Sequence, residues 1–243
     1  FLISELDKRG ITVVATTVMN GHLDKPEDWP TIEAELMRAG QVGASLGAKH
    51  IVLIDDFYHF GDRIIEEDAP ELEGDSWKRL IDNTHRIADI SKKKFDLSIA
   101  FHPHADTHVE TEEQLETFLR DTDPDMVSLC FDTGHHNYGG GDSVDFMRKH
   151  HERVSYMHFK DVDSEVLERV RAERISVPEA TSMGVFCDLG EGNVNYPELG
   201  KVLNEVAFDG WVIVEQDETT PVKKPALEAA TKARKYLHSI GIG

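Results

Sequence analysis

The chain has 243 residues, a formal net charge of −20, 40% hydrophobic residues and 30% charged residues. That balance can build a sizeable core, and it excludes a disordered chain and a membrane span. The acidic excess argues against a nucleic-acid partner, because affinity for phosphodiesters comes from Lys and Arg clusters; neutral sugars or a metal cation fit better.

FLISELDKRG opens the chain without an initiator Met. It reads as the end of an amphipathic helix carrying Phe1, Leu2 and Leu6 and stopped at Gly10, so further chain is expected upstream. Strands are then predicted at 11–17, 50–55, 97–103, 127–132, 154–160 and 211–216, with helical stretches between them, the pattern of βα units in a parallel sheet. The helix near 31–48 puts Ile32, Leu36, Gly40, Gly43 and Gly47 on roughly one face, where small residues let it lie close on the sheet. Thr111 and Gln114 form a capping-box pattern at the start of a helix near 111–121. The run YGGGD, Tyr138 to Asp142, suits either a phosphate cradle or a turn capped by Asp142 or Ser143; with no Lys or Arg close in sequence, the turn is favoured. GVFCDL at 184–189 reads as part of a long loop, and a helix near 222–239 closes the chain with Leu227, Ala230, Ala233 and Leu237.

No Pro- or Gly-rich linker divides the chain, so residues 1–243 are expected to form a single domain. The fold class is α/β. Six strands fit a TIM (β/α)8-type barrel short of its first two βα units, roughly 60 residues at about 30 each. An open doubly wound sheet is the alternative. Cys130 and Cys187 lack paired spacing, and no signal peptide is evident, so a reducing compartment, the cytoplasm, is expected. GQVGASLG, Gly40 to Gly47, lies inside a helix rather than after a strand, so no nicotinamide cofactor is implied.

Four strands end on side chains that bind metals or move protons: LSIAFHPH, VSLCFDTGHH, VSYMHFKD and WVIVEQD. Strand alternation places Ala100 with His102, Cys130 with Asp132, Tyr156 with His158 and Lys160, and Ile213 with Glu215, each set on one face. If those faces point into a barrel, His102, Asp132, His158 and Glu215 converge. Singly, Asp132 suits a helix cap, His158 a core imidazole and Glu215 a lysine's partner; together they suit one divalent ion, Mn²⁺, Co²⁺, Zn²⁺ or Mg²⁺. His135 and His136 lie within a turn of Asp132, so one of them faces the site as proton shuttle or hydroxyl ligand, His135 for preference. Lys160 either stabilises an enolate or pairs with Asp161, the ion pair being the simpler reading. His104 is a further candidate, and Glu110 lies in a loop that folds over the mouth or serves a helix N-terminus.

FHPHADTHVET, LCFDTGHH, MHFKDV and DGWVIVEQD resemble the xylose-isomerase-like TIM barrels, the sugar isomerase and epimerase superfamily, and within it the inosose (2-keto-myo-inositol) dehydratase branch. The resemblance implies one divalent metal ion on His102, Asp132, His158 and Glu215. Many epimerases and isomerases have Glu at the first of these positions; here His102 stands there, with His104 or Glu110 as substitute ligands, and a mechanism with two proton-transferring glutamates loses one of them. The implied reaction removes water from a keto-polyol through an enediolate, with His135 and His104 as acid and base, Glu215 and Lys160 assisting, and Glu110, His136 and Asp161 near the substrate. Sugar isomerisation or epimerisation through the same enediolate is the alternative, and a non-catalytic sugar or metal sensor a third. A small-molecule partner and a homo-oligomer are the family's expectation.

Overall fold

The computed structural model describes residues 1–60, 63–64, 71–217 and 225–243. Six parallel strands run side by side in chain order: β1 (Ala15–Val18), β2 (His50–Leu53), β3 (Ser98–Phe101), β4 (Val127–Asp132), β5 (Val154–Phe159) and β6 (Trp211–Val214). A doubly wound sheet reverses its strand order partway across; this sequential order is that of a TIM-barrel arc, with β1 and β6 at its two edges. All six predicted strands are present, generally shorter than read, because alternation continues for a residue or two beyond the ladder bonds.

Alternation divides the apolar residues between two cores. Outward-facing Ile51, Leu53, Ile99, Phe101, Leu129, Phe131, Met157 and Phe159 pack under the helices. Inward-facing Val52, Ala100, Cys130 and Tyr156 form a smaller buried cluster with Val14 and Ile54, and Ile213 packs against it. Each such side chain contributes about 1.5–3 kcal/mol when fully buried, so a one-residue slip of any central strand would forfeit both cores.

The helices follow from local rules. Gly10 takes the left-handed conformation, φ 63°, and stops the Leu2–Arg9 helix as expected. In the Trp29–Ser45 helix, Ile32, Leu36, Gly40 and Gly43 are the buried face. A Cβ on Gly40 would stand 2.3 Å from Phe95 and one on Gly43 3.0 Å from Thr16, so small residues do set the helix close on its neighbours, whereas Gly47 lies past the helix end. Thr111 and Gln114 complete the capping box of the Glu112–Asp121 helix. Asp142 caps the Ser143–His150 helix by accepting from Val144 and Asp145 N–H, which gives the glycine run its role as a capped turn.

Two expectations need correction. The 184–189 loop contains a short strand, Phe186–Cys187, paired antiparallel with Asp161–Val162. The last helix is described from Ala226 to Ser239, and the start read for it at 222 lies outside the described residues. It buries Ala229, Ala233 and Leu237, while Leu227 is 80% exposed. Of the four residues expected on its apolar face, Ala233 and Leu237 are buried, while Leu227 and Ala230 are exposed and Ala229 is buried instead. No helix among the described residues is long and apolar enough to cross a membrane.

Candidate active site

At the carboxyl ends of β3 to β6, one ligand atom each from His102, Asp132, His158 and Glu215 lies within 4.8 Å of the others. A register shift makes this possible. Leu129 on β4 pairs with Val154, but Cys130 pairs with Tyr156, so β5 carries one extra residue and Asp132 comes to lie beside His158 rather than Met157. Bulges of this kind re-aim side chains at the rims of sheets.

Two of the donors, His102 and Asp132, are oriented by their other atom. His102 is 2% exposed, and its Nδ1 lies 2.8 Å from the carbonyl of Pro103, so Nδ1–H donates and Nε2 is the free lone pair. Asp132 Oδ1 accepts from Gly134 and His135 N–H at 2.8 and 2.9 Å, capping the short Thr133–Tyr138 helix. The cap and the convergence are therefore both real, on different oxygens. Asp132 Oδ2, His158 Nδ1 and Glu215 Oε2 are buried and make no hydrogen bond among the described residues. They crowd one another all the same: His158 Nδ1 stands 2.7 Å from Glu215 Oε2 and 3.5 Å from Asp132 Oδ2. Three orphaned polar atoms aimed at one point fit a cation they would share.

Lys160 is a fully buried cation within the site, 1% exposed. Its Nζ lies 3.0 Å from Asp217, 3.5 Å from Glu215 and 3.6 Å from Asp132. A Cβ on Gly134 would stand 2.6 Å from the Lys160 side chain, so only glycine there lets the lysine pass into the site. Burial opposes the ammonium, but the three carboxylates more than reverse this and hold its pKa above the ordinary value. Burial also works against Asp132 and Glu215; Lys160 for the former and His158 for the latter, each helped by the other, bring both carboxyls down to about 2. Three carboxylates outnumber the one ammonium, and against burial Asp132 and Glu215 also raise the pKa of His158, so an incoming ion would displace a proton from that imidazole.

The expected Lys160–Asp161 ion pair is thus replaced by three others. Asp161 is fully buried and points away from the centre, accepting N–H groups from Val162, Gly190, Gly192 and Val194. With its oxygens committed to that loop, it is not positioned as a substrate contact.

His135 and His136 part company in the same way. His135 lies ring to ring with His104, centroids 3.6 Å apart, and its Nε2 is 2.9 Å from Lys160 Nζ. Burial, His104 and Lys160 all push its pKa well down, so the ring is neutral. His104 is neutral too, held at about 4 by burial and by Lys160; its Nδ1 is committed to the carbonyl of Ala105 at 2.7 Å. His136 instead packs against Phe131 and Phe146 beneath the outer helices, so it does not reach the substrate side. Glu110 is drawn off as well: Tyr58 Oη donates to its Oε2 at 2.8 Å, and it takes no part in the four-donor cluster, nor does His104. Asp217 escaped the sequence reading, although its place two residues beyond Glu215 was the available signal.

A parallel barrel arc whose strand ends gather two imidazoles, two carboxylates and a buried ammonium defines the class: a candidate metal centre with neutral imidazoles beside it. Residues 2–240 match the xylose isomerase-like TIM barrel family, and the chain belongs to that family. Over 168 residues it is 34% identical to the inosose dehydratase of Geobacillus thermodenitrificans, covering 69% of this chain and 56% of that protein. It is 29% identical over 238 residues to the inosose dehydratase of Clostridium beijerinckii, covering 96% and 78% respectively. The chain therefore spans little more than half the length of the first of these relatives. Among solved structures, the IOLI protein with a binding zinc atom superposes with a TM-score of 0.72 at 17% identity, over 99% of this chain and 81% of that one, a likeness of fold.

Proposed function

We propose that the protein is a divalent-metal-dependent lyase that removes water from a keto-polyol of the inosose type. The observation that carries this reading is the convergence of His102, Asp132, His158 and Glu215, with three facing atoms unsatisfied, beside two neutral histidines and a buried lysine. The curated relatives named inosose dehydratase point to the substrate class.

His102, Asp132, His158 and Glu215 would hold the ion. When bound, it would polarise a ketone and an adjacent hydroxyl, making the neighbouring C–H more acidic. His104 accepts the proton from that carbon at Nε2, the ring nitrogen its contact with Ala105 leaves open, or His135 does so at the Nε2 that Lys160 gives up as it turns to the substrate; either role requires the neutral ring both possess. Lys160 donates a hydrogen bond toward the oxygen that gains negative charge. A carbon–carbon double bond forms as the β-hydroxyl departs, and the proton taken by the imidazole returns to that oxygen to complete a water molecule. Epimerisation by a pair of opposed carboxylates has less support, because His102 occupies the place a second one would need.

The test is incubation of metal-loaded protein with 2-keto-myo-inositol, followed by absorbance and product mass. Growth of a conjugated-enone band with loss of one water from the mass supports dehydration. A new ketose of unchanged mass would make the protein an isomerase or epimerase, and an unaltered substrate would leave a binding protein.

A further inference from the structure

A second group of metal-competent side chains, His22, Asp24 and His108, gathers on the loops that follow β1 and β3, with one ligand atom from each within 4.8 Å of the others. None of the three belongs to the centre described above. The two aromatic rings meet edge to face, centroids 5.9 Å apart.

The group is built rather than incidental. Asp24 is 8% exposed, and its Oδ1 is buried without a hydrogen-bond partner among the described residues; Nδ1 of His22 is buried and unpartnered in the same way. Leaving such atoms unsatisfied costs about 1–3 kcal/mol each, more for a charged one, so their convergence needs a reason. His108 supplies one. Its Nδ1 lies 2.6 Å from Oδ2 of Asp55, a carboxylate with no exposure at all. Asp55 fixes Nδ1 as the donor and leaves Nε2 as a lone pair, the carboxylate–histidine arrangement that commonly backs a metal ligand.

The other oxygen of Asp55 accepts the N–H of Leu23 at 2.8 Å, the residue between His22 and Asp24. One carboxylate thus orients the ligand on one loop and pins the backbone between the two ligands on the other. Further ties hold that backbone: His22 N–H to Asp28, Asn83 to the carbonyl of Leu23 and Arg79 to the carbonyl of Asp24.

We propose that His22, Asp24 and His108 bind a second divalent cation, with Asp55 behind His108 and the fourth position open to water. Two imidazoles and one carboxylate select a zinc- or cobalt-type ion over magnesium or calcium, which take oxygen ligands. Such an ion ties the first loop to the segment that begins at His102, and so steadies one side of the principal centre. The proposal does not depend on which reaction the protein catalyses.

Equilibrium dialysis of the full chain against zinc, with metal measured per chain, tests it. Two ions per chain are expected in the wild type. His22→Asn with Asp24→Asn should leave one, and Asp132→Asn with Glu215→Gln should leave the other. Asp55→Asn, which keeps the ligands but loses the charge behind His108, should weaken the second ion by about 10–100-fold. Far-UV circular dichroism identifies any variant that has not folded, and the wild-type count stands without the variants. A wild type whose bound metal is undiminished in the folded loop double variant, whether it holds one ion or two, would overturn the proposal. A folded Asp132→Asn with Glu215→Gln variant that keeps every ion of the wild type would instead count against the principal centre and leave this proposal standing.

Discussion

His135 and His136 are neighbours in the chain, as are Lys160 and Asp161, yet each pair is divided between two regions. His135 and Lys160 belong to the mouth of the sheet, 2.9 Å from each other among the ligand candidates. His136 and Asp161 belong to the structural layer around it, one between phenylalanines and the other inside a cage of backbone N–H groups. Residue type does not decide between chemistry and architecture here; what each side chain faces does. The inner pair should control turnover with little effect on folding, and the outer pair the reverse.

The largest effect is expected from Lys160→Met. It removes the donor proposed to face the developing negative charge and should lower kcat by about 10³-fold. Metal per chain should be retained, because Asp132 and Glu215 lose a competitor; unchanged kcat would move Lys160 into the structural group. His135→Ala should follow, with kcat down by about 10²-fold at unchanged metal content. Full activity in this variant would leave His104 as the sole proton acceptor.

Asp161→Asn probes the outer pair. An amide cannot accept from four N–H groups around a buried carboxylate, and the loss should be roughly 3–5 kcal/mol of unfolding free energy, measured with denaturant. Folded protein should keep kcat within about threefold, and a larger fall would show that the 190–194 loop shapes the site.

His136→Leu has the smallest effect at neutral pH and should act through pH alone. Burial lowers the His136 pKa to about 4, below its ordinary 6.5. The unfolded chain therefore binds the proton first as pH falls, so this contribution to stability is complete above about 6.5 and is lost down to about 4. The size is about 3 kcal/mol, from 1.36 kcal/mol per pKa unit. The leucine variant should show a correspondingly flatter stability–pH curve, and an unchanged slope would mean that the ring takes up its proton without unfolding.

Much of this division was legible from period-two alternation. It placed His102, Asp132, His158, Lys160 and Glu215 on inward faces, because β3, β4, β6 and the part of β5 beyond Ser155 keep their alternation to the strand ends. It did not register the extra residue at Ser155 that sets Asp132 against His158, because a two-for-one pairing is defined by the partner strand; its trace is that Val154 packs in the outer core and Tyr156 in the inner one. The reading failed where alternation stops. Asp161 lies past the end of β5 and turns with the loop, and His136 sits on a helical turn where its neighbour faces the opposite way. His22, Asp24 and His108 were out of reach for a related reason: two loops 86 positions apart carry them, and only the closed tertiary structure brings those loops together.

The most direct test of the principal centre is anomalous diffraction from crystals of the protein grown with manganese or zinc, recorded at the absorption edge of the metal. The expected result is a strong peak within bonding distance of His102, Asp132, His158 and Glu215 together. No peak there in metal-loaded crystals, or one that leaves Asp132 and His158 outside its ligand shell, would contradict the shared cation.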